Sequence, residues 1–257
     1  MTRTAPAPRI VWCLLVLLLA ILYLPIVPPL LFSLDDGQGG LTLRWYATLG
    51  SNPLLVSAIG TTLLVALIAA AATPVLALLA AMAVRELKAP RLILLLTLLP
   101  LFIPGVSMGL ATALFFRELG LPPSLWSIAI VHILWALPFA TLIILTVMAG
   151  FDPLYLEAAY MTGANRWRAF RDIELPLIRP GIIGAASFSM ILSFNETVRT
   201  QLVQGPRNTV QTYIWSTYLQ VGLSPALYAL MSLLILATVL LLGLFLGLAT
   251  QRANRPQ

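Results

Sequence analysis

Residues 152–176 read DPLYLEAAYMTGANRWRAFRDIELP, and this charged stretch between two apolar runs decides how the rest of the chain is interpreted. Asp152-Pro153 predicts the start of a short helix, because aspartate is a favoured N-cap and proline suits the first helical position. Gly163 predicts the end of that helix, since glycine readily adopts the left-handed conformation that closes one. We therefore expect a folded segment here and not a bare connection.

One face of this first short helix is apolar, because Leu154, Ala158 and Met161 recur at helical spacing. Ala158 and Ala159 present almost no side chain, so another surface could approach the backbone closely, and Glu157 places a charge beside them. This pattern predicts a docking surface that could carry a rigid-body push into the neighbouring helices. The alternative is a helix that lies on lipid headgroups.

A second short helix is predicted after Asn165, which can act as its N-cap. We expect Leu175-Pro176 to stop this helix before the next apolar run, because proline interrupts helices. Arginines alternate with its apolar residues, and this mixture also suits contact with lipid headgroups. The apolar residues are Trp167, Phe170 and Ile173.

The composition places most of the chain in a lipid bilayer. Of 257 residues, 60% are hydrophobic and 9% charged, whereas soluble domains carry about one quarter charged residues. The net charge is +6, but the arginines lie in short loops between apolar runs, so membrane orientation explains them better than nucleic acid. Cys13 is the single cysteine, so one chain can form neither a disulfide nor a cysteine-based metal site.

Six transmembrane helices are expected from apolar runs of about 20 residues or more. The first run follows Arg3 and Arg9 like a signal peptide, but it is too long and lacks a cleavage site, so we expect it to remain as a helix. We predict a single transmembrane domain over 1–257, with a core bundle over 54–249. The expected helices lie near residues 10–32, 54–84, 92–116, 125–149, 178–199 and 226–249.

The basic residues predict the orientation of these spans. Six spans place both termini on one side, together with residues 152–176. Of the 15 basic residues, four fall on the opposite side and eleven on the side of the termini, which the positive-inside rule makes cytoplasmic. The four are Arg44, Arg117, Arg199 and Arg207.

The third expected span carries two further signals. Pro100 and Pro104 predict a kinked helix inside a bundle, where neighbouring helices can satisfy the freed carbonyl groups. Gly105-x3-Gly109 predicts close approach of another helix backbone, unless the spacing is a chance result in a glycine- and alanine-rich chain.

The spacing of the motif in residues 152–176 resembles the EAA loop of binding-protein-dependent ABC importer permeases. In that family the loop forms coupling helices that seat in a groove of the ATPase subunit. The resemblance implies an all-α membrane protein with six transmembrane helices, a type I importer (MetI-like) permease fold and a cytoplasmic coupling loop over 152–176. The matching residues, which the resemblance makes the ATPase-coupling site, are Glu157, Ala158, Ala159, Gly163, Ile173, Leu175 and Pro176.

The family resemblance also implies the partners. ATP and Mg would be bound by a cytoplasmic ABC ATPase dimer, and Lys88, the single lysine, lies in no Gly-Lys-Ser/Thr loop of this chain. We therefore expect a non-catalytic subunit without cofactor or metal. Its expected partners are a second, different permease subunit, a periplasmic or lipid-anchored solute-binding protein and membrane lipid, in a bacterial inner membrane and without nucleic acid.

Three shorter segments resemble those of spermidine/putrescine-type permeases and occur in the same order. The resemblance implies that the solute is a polyamine or a related amine. The segments are Leu43-Arg44-Trp45-Tyr46, Leu137-Pro138-Phe139 and Val221-Gly222-Leu223-Ser224-Pro225.

Glu196 is an ionisable residue at the edge of the fifth expected span, and such a group is a functional-site hypothesis by default. The alternative is an ion pair with Arg199 at i+3. Polyamine-type permeases resemble this site but carry an acidic pair where this chain has Asn195 and Glu196. The lost charge leaves open an opine, an aminophosphonate or another zwitterion.

The expected substrate pathway comprises Ser193, Asn195, Glu196 and Trp215. Trp215 could stack on a cationic ligand or belong to the aromatic belt at the membrane interface. His132, in the fourth span, is expected to be a buried histidine with satisfied hydrogen bonds. A secondary transporter expects ionisable sites near the midplane, and a membrane-anchored scaffold has no need of a motor-docking loop, so both are weaker interpretations.

Overall fold

The computed structural model describes residues 9–253, with side chains placed as far as residue 240, and the described residues are overwhelmingly helical. An isolated antiparallel bridge joins Asp35 and Leu41. The all-α prediction is confirmed. The α-helices of the described residues are α1 (Arg9–Tyr23), α2 (Val27–Phe32), α3 (Arg44–Gly50), α4 (Pro53–Glu86), α5 (Pro90–Leu98), α6 (Gly105–Glu118), α7 (Leu125–Ala149), α8 (Leu154–Met161), α9 (Arg166–Ala169), α10 (Leu175–Phe194), α11 (Val198–Val203), α12 (Val210–Val221) and α13 (Pro225–Ala253).

Each predicted span overlaps an apolar helical element. A bent pair of helices provides a fifth candidate span, and the stretch Pro225–Leu240 of α13 is apolar as well. The observed elements are compatible with six spans, but length and composition alone give four or five, so the number six stays a prediction. Four helices are long and apolar enough to cross a membrane, namely Arg9–Phe32, Pro53–Glu86, Leu125–Ala149 and Arg166–Phe194.

The described chain divides into two compact units. One contains the residues up to Pro53 and those from Thr217 onward, and the other contains Leu54–Ser216. The predicted single domain, with a core bundle over 54–249, stays a prediction. Both candidate sites, the loop of residues 152–176 and the path residues, lie in the second unit.

Tyr46 holds the first unit together through its hydroxyl group. That group shares hydrogen bonds with the Ser33 hydroxyl at 2.7 Å and with the Ser232 hydroxyl at 2.8 Å. The Phe32 and Tyr228 rings pack nearby with centroids 5.3 Å apart. A buried hydroxyl needs a partner to offset its lost hydration, and Tyr46 supplies one to each serine, joining α3 to both the end of α2 and α13.

The third predicted span is broken and not merely kinked. After α5 a 3₁₀ turn over Leu99–Phe102 leads to Ile103, which is extended with ψ of 128°. Pro104 disfavours a helical conformation at the residue before it. The following helix, α6, then leaves at an angle of 104°. The predicted proline effect is confirmed, and its size exceeds the expectation.

The fifth span differs from the prediction at both ends. Leu175-Pro176 does not stop the preceding helix, so that prediction is wrong: a π-turn, Phe170–Glu174, leads directly into α10. The wider turn accommodates Pro176, whose ring would clash with a carbonyl of a regular α-turn. The helix ends at Phe194 and not near residue 199, and Arg199 lies on the separate helix α11.

Small residues allow the helices of the second unit to pack closely, as expected where water exclusion does not drive helix association. An added Cβ at Gly181 of α10 would lie 2.9 Å from the Val147 side chain of α7, and one at Gly109 of α6 would lie 3.3 Å from the Arg199 Cα of α11. The predicted close approach at Gly109 is therefore confirmed. The buried alanines of the α4, α7 and α10 core are Ala77, Ala81, Ala140 and Ala185.

Candidate coupling surface and solute path

The predicted local signals in residues 152–176, named here the EAA loop, are present. The Asp152 carboxylate accepts the Leu154 N–H at 3.0 Å, but α8 begins at Leu154, so Pro153 and not Asp152 occupies the N-cap position and the predicted start is one residue too early. Gly163 follows the helix with a φ of 84°. The Asn165 side chain accepts the Arg168 N–H at 2.8 Å and caps α9. These bonds make a connection of two short, defined helices.

The outer face of α8 is exposed and apolar. Leu154 is 65% exposed and Met161 88% exposed, and Glu157 and Ala158 between them are also exposed. Ala159 is buried within the chain itself, so close approach of a second protein is available at Ala158 and not at Ala159. A charge flanked by large exposed apolar groups is a surface that can bind a partner.

The second half of the EAA loop contributes less exposed surface. Ile173 and Leu175 are half-buried, and Pro176 and Gly163 are exposed. Trp167 is exposed and packs its ring on Phe170, with centroids 5.8 Å apart. The two halves of the loop therefore differ, because the α8 face is open whereas the end of the π-turn, Ile173 and Glu174, is covered by the rest of the chain.

Glu174 is a buried carboxylate that the sequence interpretation missed. It is 2% exposed and pairs with Arg85, at the last turn of α4, through both of its oxygens. Arg85 also donates to Glu86 at 2.9 Å. Because Glu174 directly precedes Leu175-Pro176, a partner for its carboxylate could have been sought from the sequence. The sequence holds no signal that pairs two residues 89 positions apart.

Glu196 and Arg199 form the ion pair that the sequence left open as the alternative to a functional role for Glu196. The Arg199 guanidinium donates to Glu196 Oε2 at 2.8 Å, and the Arg199 backbone N–H donates to Oε1 at 2.8 Å. Glu196 is 5% exposed and lies in the turn between α10 and α11, where the helix has ended. Charge-assisted bonds of this kind satisfy a carboxylate that has left water.

Trp135 completes the environment of Arg199. The guanidinium carbon lies 3.7 Å from the centroid of the Trp135 ring, which is a close cation–π contact. The sequence interpretation missed this residue. A usable signal was present, because Trp135 follows His132 by one helical turn on α7 and so shares its face.

His132 is buried with both ring nitrogens satisfied, as predicted. Nδ1 lies 2.7 Å from the Ser193 hydroxyl, and Nε2 lies 2.8 Å from the Thr200 hydroxyl. Thr200 in turn donates to the Glu196 carbonyl at 3.1 Å. Because a neutral ring has one donor and one acceptor, the consistent assignment is Nε2–H donating to Thr200 while Ser193 donates to Nδ1. His132 thus fixes both sides of the break between α10 and α11.

The predicted path residues separate into two groups. Ser193 and Glu196 belong to the polar cluster, which we define as His132, Trp135, Ser193, Glu196, Arg199 and Thr200. Asn195 is exposed, and its amide donates to the Ile191 carbonyl at 2.8 Å. Trp215 lies on α12 and is 46% exposed. The amide and the carboxylate therefore occupy different environments although they are adjacent in sequence.

The chain is similar in sequence to characterised permeases over most of its length. The spermidine/putrescine transport system permease protein PotC of Escherichia coli is 28% identical over 243 residues, which cover 92% of this chain and 90% of PotC. The putrescine transport system permease protein PotI of the same species is 27% identical over 266 residues, covering 97% of this chain and 94% of PotI.

The fold is shared with a solved importer. A chain of a bacterial ABC transporter involved in the import of the acidic polysaccharide alginate matches with a TM-score of 0.73 at 15% identity, covering 96% of this chain and 99% of that chain. The predicted permease fold is confirmed. Residues 6–255 match the binding-protein-dependent transport system inner membrane component family, and the chain belongs to that family as a permease subunit of an ABC importer, a transport subunit and not an enzyme.

Proposed function

We propose that this subunit forms half of the translocation pathway for a small organic amine, of the polyamine class or related to it. The observation that carries the proposal is Glu196, a buried carboxylate held beside the break between α10 and α11. An ionisable group within a membrane bundle has a high energetic cost and is retained for function. The named substrates of PotC and PotI support the amine class.

In the proposed mechanism, an ammonium group of the solute competes with Arg199 for the Glu196 carboxylate. The pair is buried, so its electrostatic interactions are stronger than in water. Arg199 can remain on the Trp135 ring when it releases the carboxylate, because the cation–π contact does not require Glu196. Ser193, Asn195 and Trp215 are proposed to supply polar and aromatic contacts along the same path.

A zwitterionic solute, such as an opine or an aminophosphonate, is the second candidate. The observation that favours it is the Arg199 guanidinium, 2.8 Å from the carboxylate. A zwitterion could place its ammonium group on Glu196 and its acidic group on Arg199, each through charge-assisted hydrogen bonds. A polyamine uses only the first of these contacts.

Thermal-shift screening of the cognate solute-binding protein separates these candidates. Spermidine and putrescine should raise its melting temperature, because a ligand that binds only the folded state stabilises it. Stabilisation by octopine or 2-aminoethylphosphonate alone would favour the zwitterion. Stabilisation by none of the four would overturn both proposals.

We further propose that the EAA loop docks on a cytoplasmic ABC ATPase dimer, which binds ATP and Mg. Glu157 and Ala158 would contact the ATPase from the exposed face of α8, while Ala159 and Gly163 shape that helix and its end. Ile173, Leu175 and Pro176 would anchor the loop to α10. ATP binding would move the loop and switch the subunit between two global states, which is allosteric coupling between distinct sites.

Charge reversal at Glu157 tests this docking. Glu157→Lys should lower recovery of the ATPase subunits in a detergent pull-down by about tenfold, because a reversed charge at the centre of an interface opposes binding. Glu118→Lys is the matched control, since Glu118 is also exposed and lies outside the EAA loop. Full ATPase recovery with Glu157→Lys would exclude the docking role.

We propose that both termini are cytoplasmic and that a second, different permease subunit completes the pathway. A periplasmic or lipid-anchored solute-binding protein would deliver the solute. The distribution of basic residues supports the orientation. A carboxyl-terminal alkaline phosphatase fusion should be inactive, and an active fusion would refute the orientation. Co-purification of two differently tagged copies of this chain would refute the heterodimer.

A further inference from the structure

We propose that the ion pair between Arg85 and Glu174 transmits the movement of the EAA loop to α4, an inference that rests on the proposed docking of this loop. Both are positioning residues, because they act through the elements that carry them. Arg85 lies in the last turn of α4 and Glu174 at the end of the π-turn. The pair gives the loop a direct connection to α4, in addition to the packing of α4 against α7 and α10.

The connectivity of the chain shows why such a link is needed. The EAA loop is joined covalently to α7 at one end and to α10 at the other. Movement of the loop therefore reaches these two helices directly. Helix α4 ends at Glu86, far from the loop in sequence, so movement can reach it only through non-covalent contacts.

Packing between the loop and α4 is incomplete. A cleft of about 810 Å³ lies among the last turns of α4, the end of α7 and the EAA loop. Leu78 and Met82 line it from α4, and Leu156 and Trp167 line it from the loop. The two walls of the cleft do not touch each other across it, so a bridge at its edge connects them directly.

The Arg85–Glu174 pair has the properties of that bridge. Both Glu174 oxygens accept from the guanidinium, with the Nη2–Oε2 distance at 3.3 Å. This two-point geometry fixes orientation as well as distance. Among the described residues, no other ion pair joins α4 to the EAA loop. Glu174 is buried, and Arg85 is its hydrogen-bond partner.

The π-turn gives Glu174 its inward direction. The Leu175 N–H bonds to the Phe170 carbonyl five residues earlier, so the turn contains one more residue than an α-turn and changes the direction of the side chains that follow. The neighbours Asp172 and Arg171 remain exposed and bond to each other at 2.6 Å. The turn therefore separates an inward carboxylate from a solvent-facing pair.

Distance measurements on the assembled importer can test this link. Spin labels would be placed at Arg168→Cys in α9 and Leu76→Cys in α4, after Cys13→Ala removes the chain's single native cysteine. In the otherwise unaltered complex, ATP with EDTA should leave the distance between the labels unchanged, because the loop and α4 move together. In Glu174→Gln the same addition should shift that distance by about 1–2 Å or more.

Two variants keep the test decisive. Glu86→Gln removes the other carboxylate bonded to Arg85 and should behave as the unaltered complex. Arg85→Gln breaks the same pair from the more exposed side and serves where Glu174→Gln folds poorly. An unchanged distance in the broken-pair variants, or a shifted distance in the unaltered complex, overturns the inference. ATPase recovery is measured in each sample, so failure of docking itself is recognised separately.

Discussion

The two buried carboxylates of the described residues are both paired with arginine, but one pair joins neighbouring residues and the other joins two elements that are distant in sequence. Glu196 and Arg199 are three residues apart and belong to one turn and the helix that follows it. Glu174 and Arg85 are 89 residues apart and join the EAA loop to α4. The first pair is built locally and enclosed, whereas the second exists only when the tertiary structure is complete.

The two ion pairs also differ in the solvent exposure of their arginines. The Arg199 side chain is 10% exposed, stacks on Trp135 and leaves its partner with little access to water. The Arg85 side chain is 34% exposed and shares its guanidinium with Glu86. An enclosed pair suits a site where a solute displaces one partner, and a partly solvated pair suits a link that must stay formed while its two elements move.

The largest expected effect is at Arg199. Arg199→Leu leaves the Glu196 carboxylate buried without its cation, and breaking a buried pair in this way costs about 3–5 kcal/mol. We expect a corresponding loss in the free energy of unfolding, measured by denaturant titration of the purified subunit in detergent micelles.

The double variant Glu196→Gln with Arg199→Leu is the control for this measurement. It removes the unpaired charge, so it should be more stable than Arg199→Leu alone, since replacing both partners is less costly than orphaning one. A double variant as unstable as the single one would show that the cost arises from lost packing and not from the orphaned carboxylate.

A smaller effect is expected at His132, whose ring bonds to α10 and α11 on either side of the turn that contains Glu196. His132→Leu removes both ring nitrogens and leaves the Ser193 hydroxyl without its ring partner. The expected loss is about 1–2 kcal/mol, because serine in a helix can turn its hydroxyl to a carbonyl one turn earlier. The same denaturant titration measures it.

The matched variant combines His132→Leu with Ser193→Ala. Removing both partners of a hydrogen bond is nearly neutral, so the double variant should recover part of the stability lost in His132→Leu. If the two losses simply add, the contact between His132 and Ser193 does not contribute to the support of this turn.

Local signals were predictable from sequence, and the two pairs show the limit. Asp152, Gly163 and Asn165 act through neighbouring backbone groups, and the i,i+3 spacing of Glu196 and Arg199 made their pair predictable although the helix ends before Glu196. Glu174 and Arg85 meet only after α4, α7 and α10 have packed, so local rules cannot pair them. The satisfied state of His132 was predicted, but its partners Ser193 and Thr200 were not.

The outcomes at two prolines differ from expectation for one physical reason. A kink was predicted at Pro104 and a helix stop at Pro176, but the effect of a proline depends on the hydrogen bonds available around it. At Pro104 the preceding residue became extended and the span bent by 104°. At Pro176 a π-turn removed the conflict and the helix continued. A sequence does not state which turn geometry the surrounding helices will permit.

The smallest expected effect is at Asp36, a half-buried carboxylate held by backbone groups and not by a buried arginine. Backbone N–H groups of Gln38 and Gly40 donate to it at 2.7 and 2.8 Å and hold its pKa below the ordinary 3.8. The stability that this adds to the loop between α2 and α3 is complete above the unfolded-state pKa and is lost as the pH falls through the lowered folded-state pKa.

Carboxyl carbon-13 NMR titration in nanodiscs should find Asp36 ionised at a pH where the same residue in a free peptide is half protonated. Asp36→Asn should abolish this pH dependence of the loop, and identical titration in peptide and protein would show that backbone donors alone do not lower the pKa of this carboxylate.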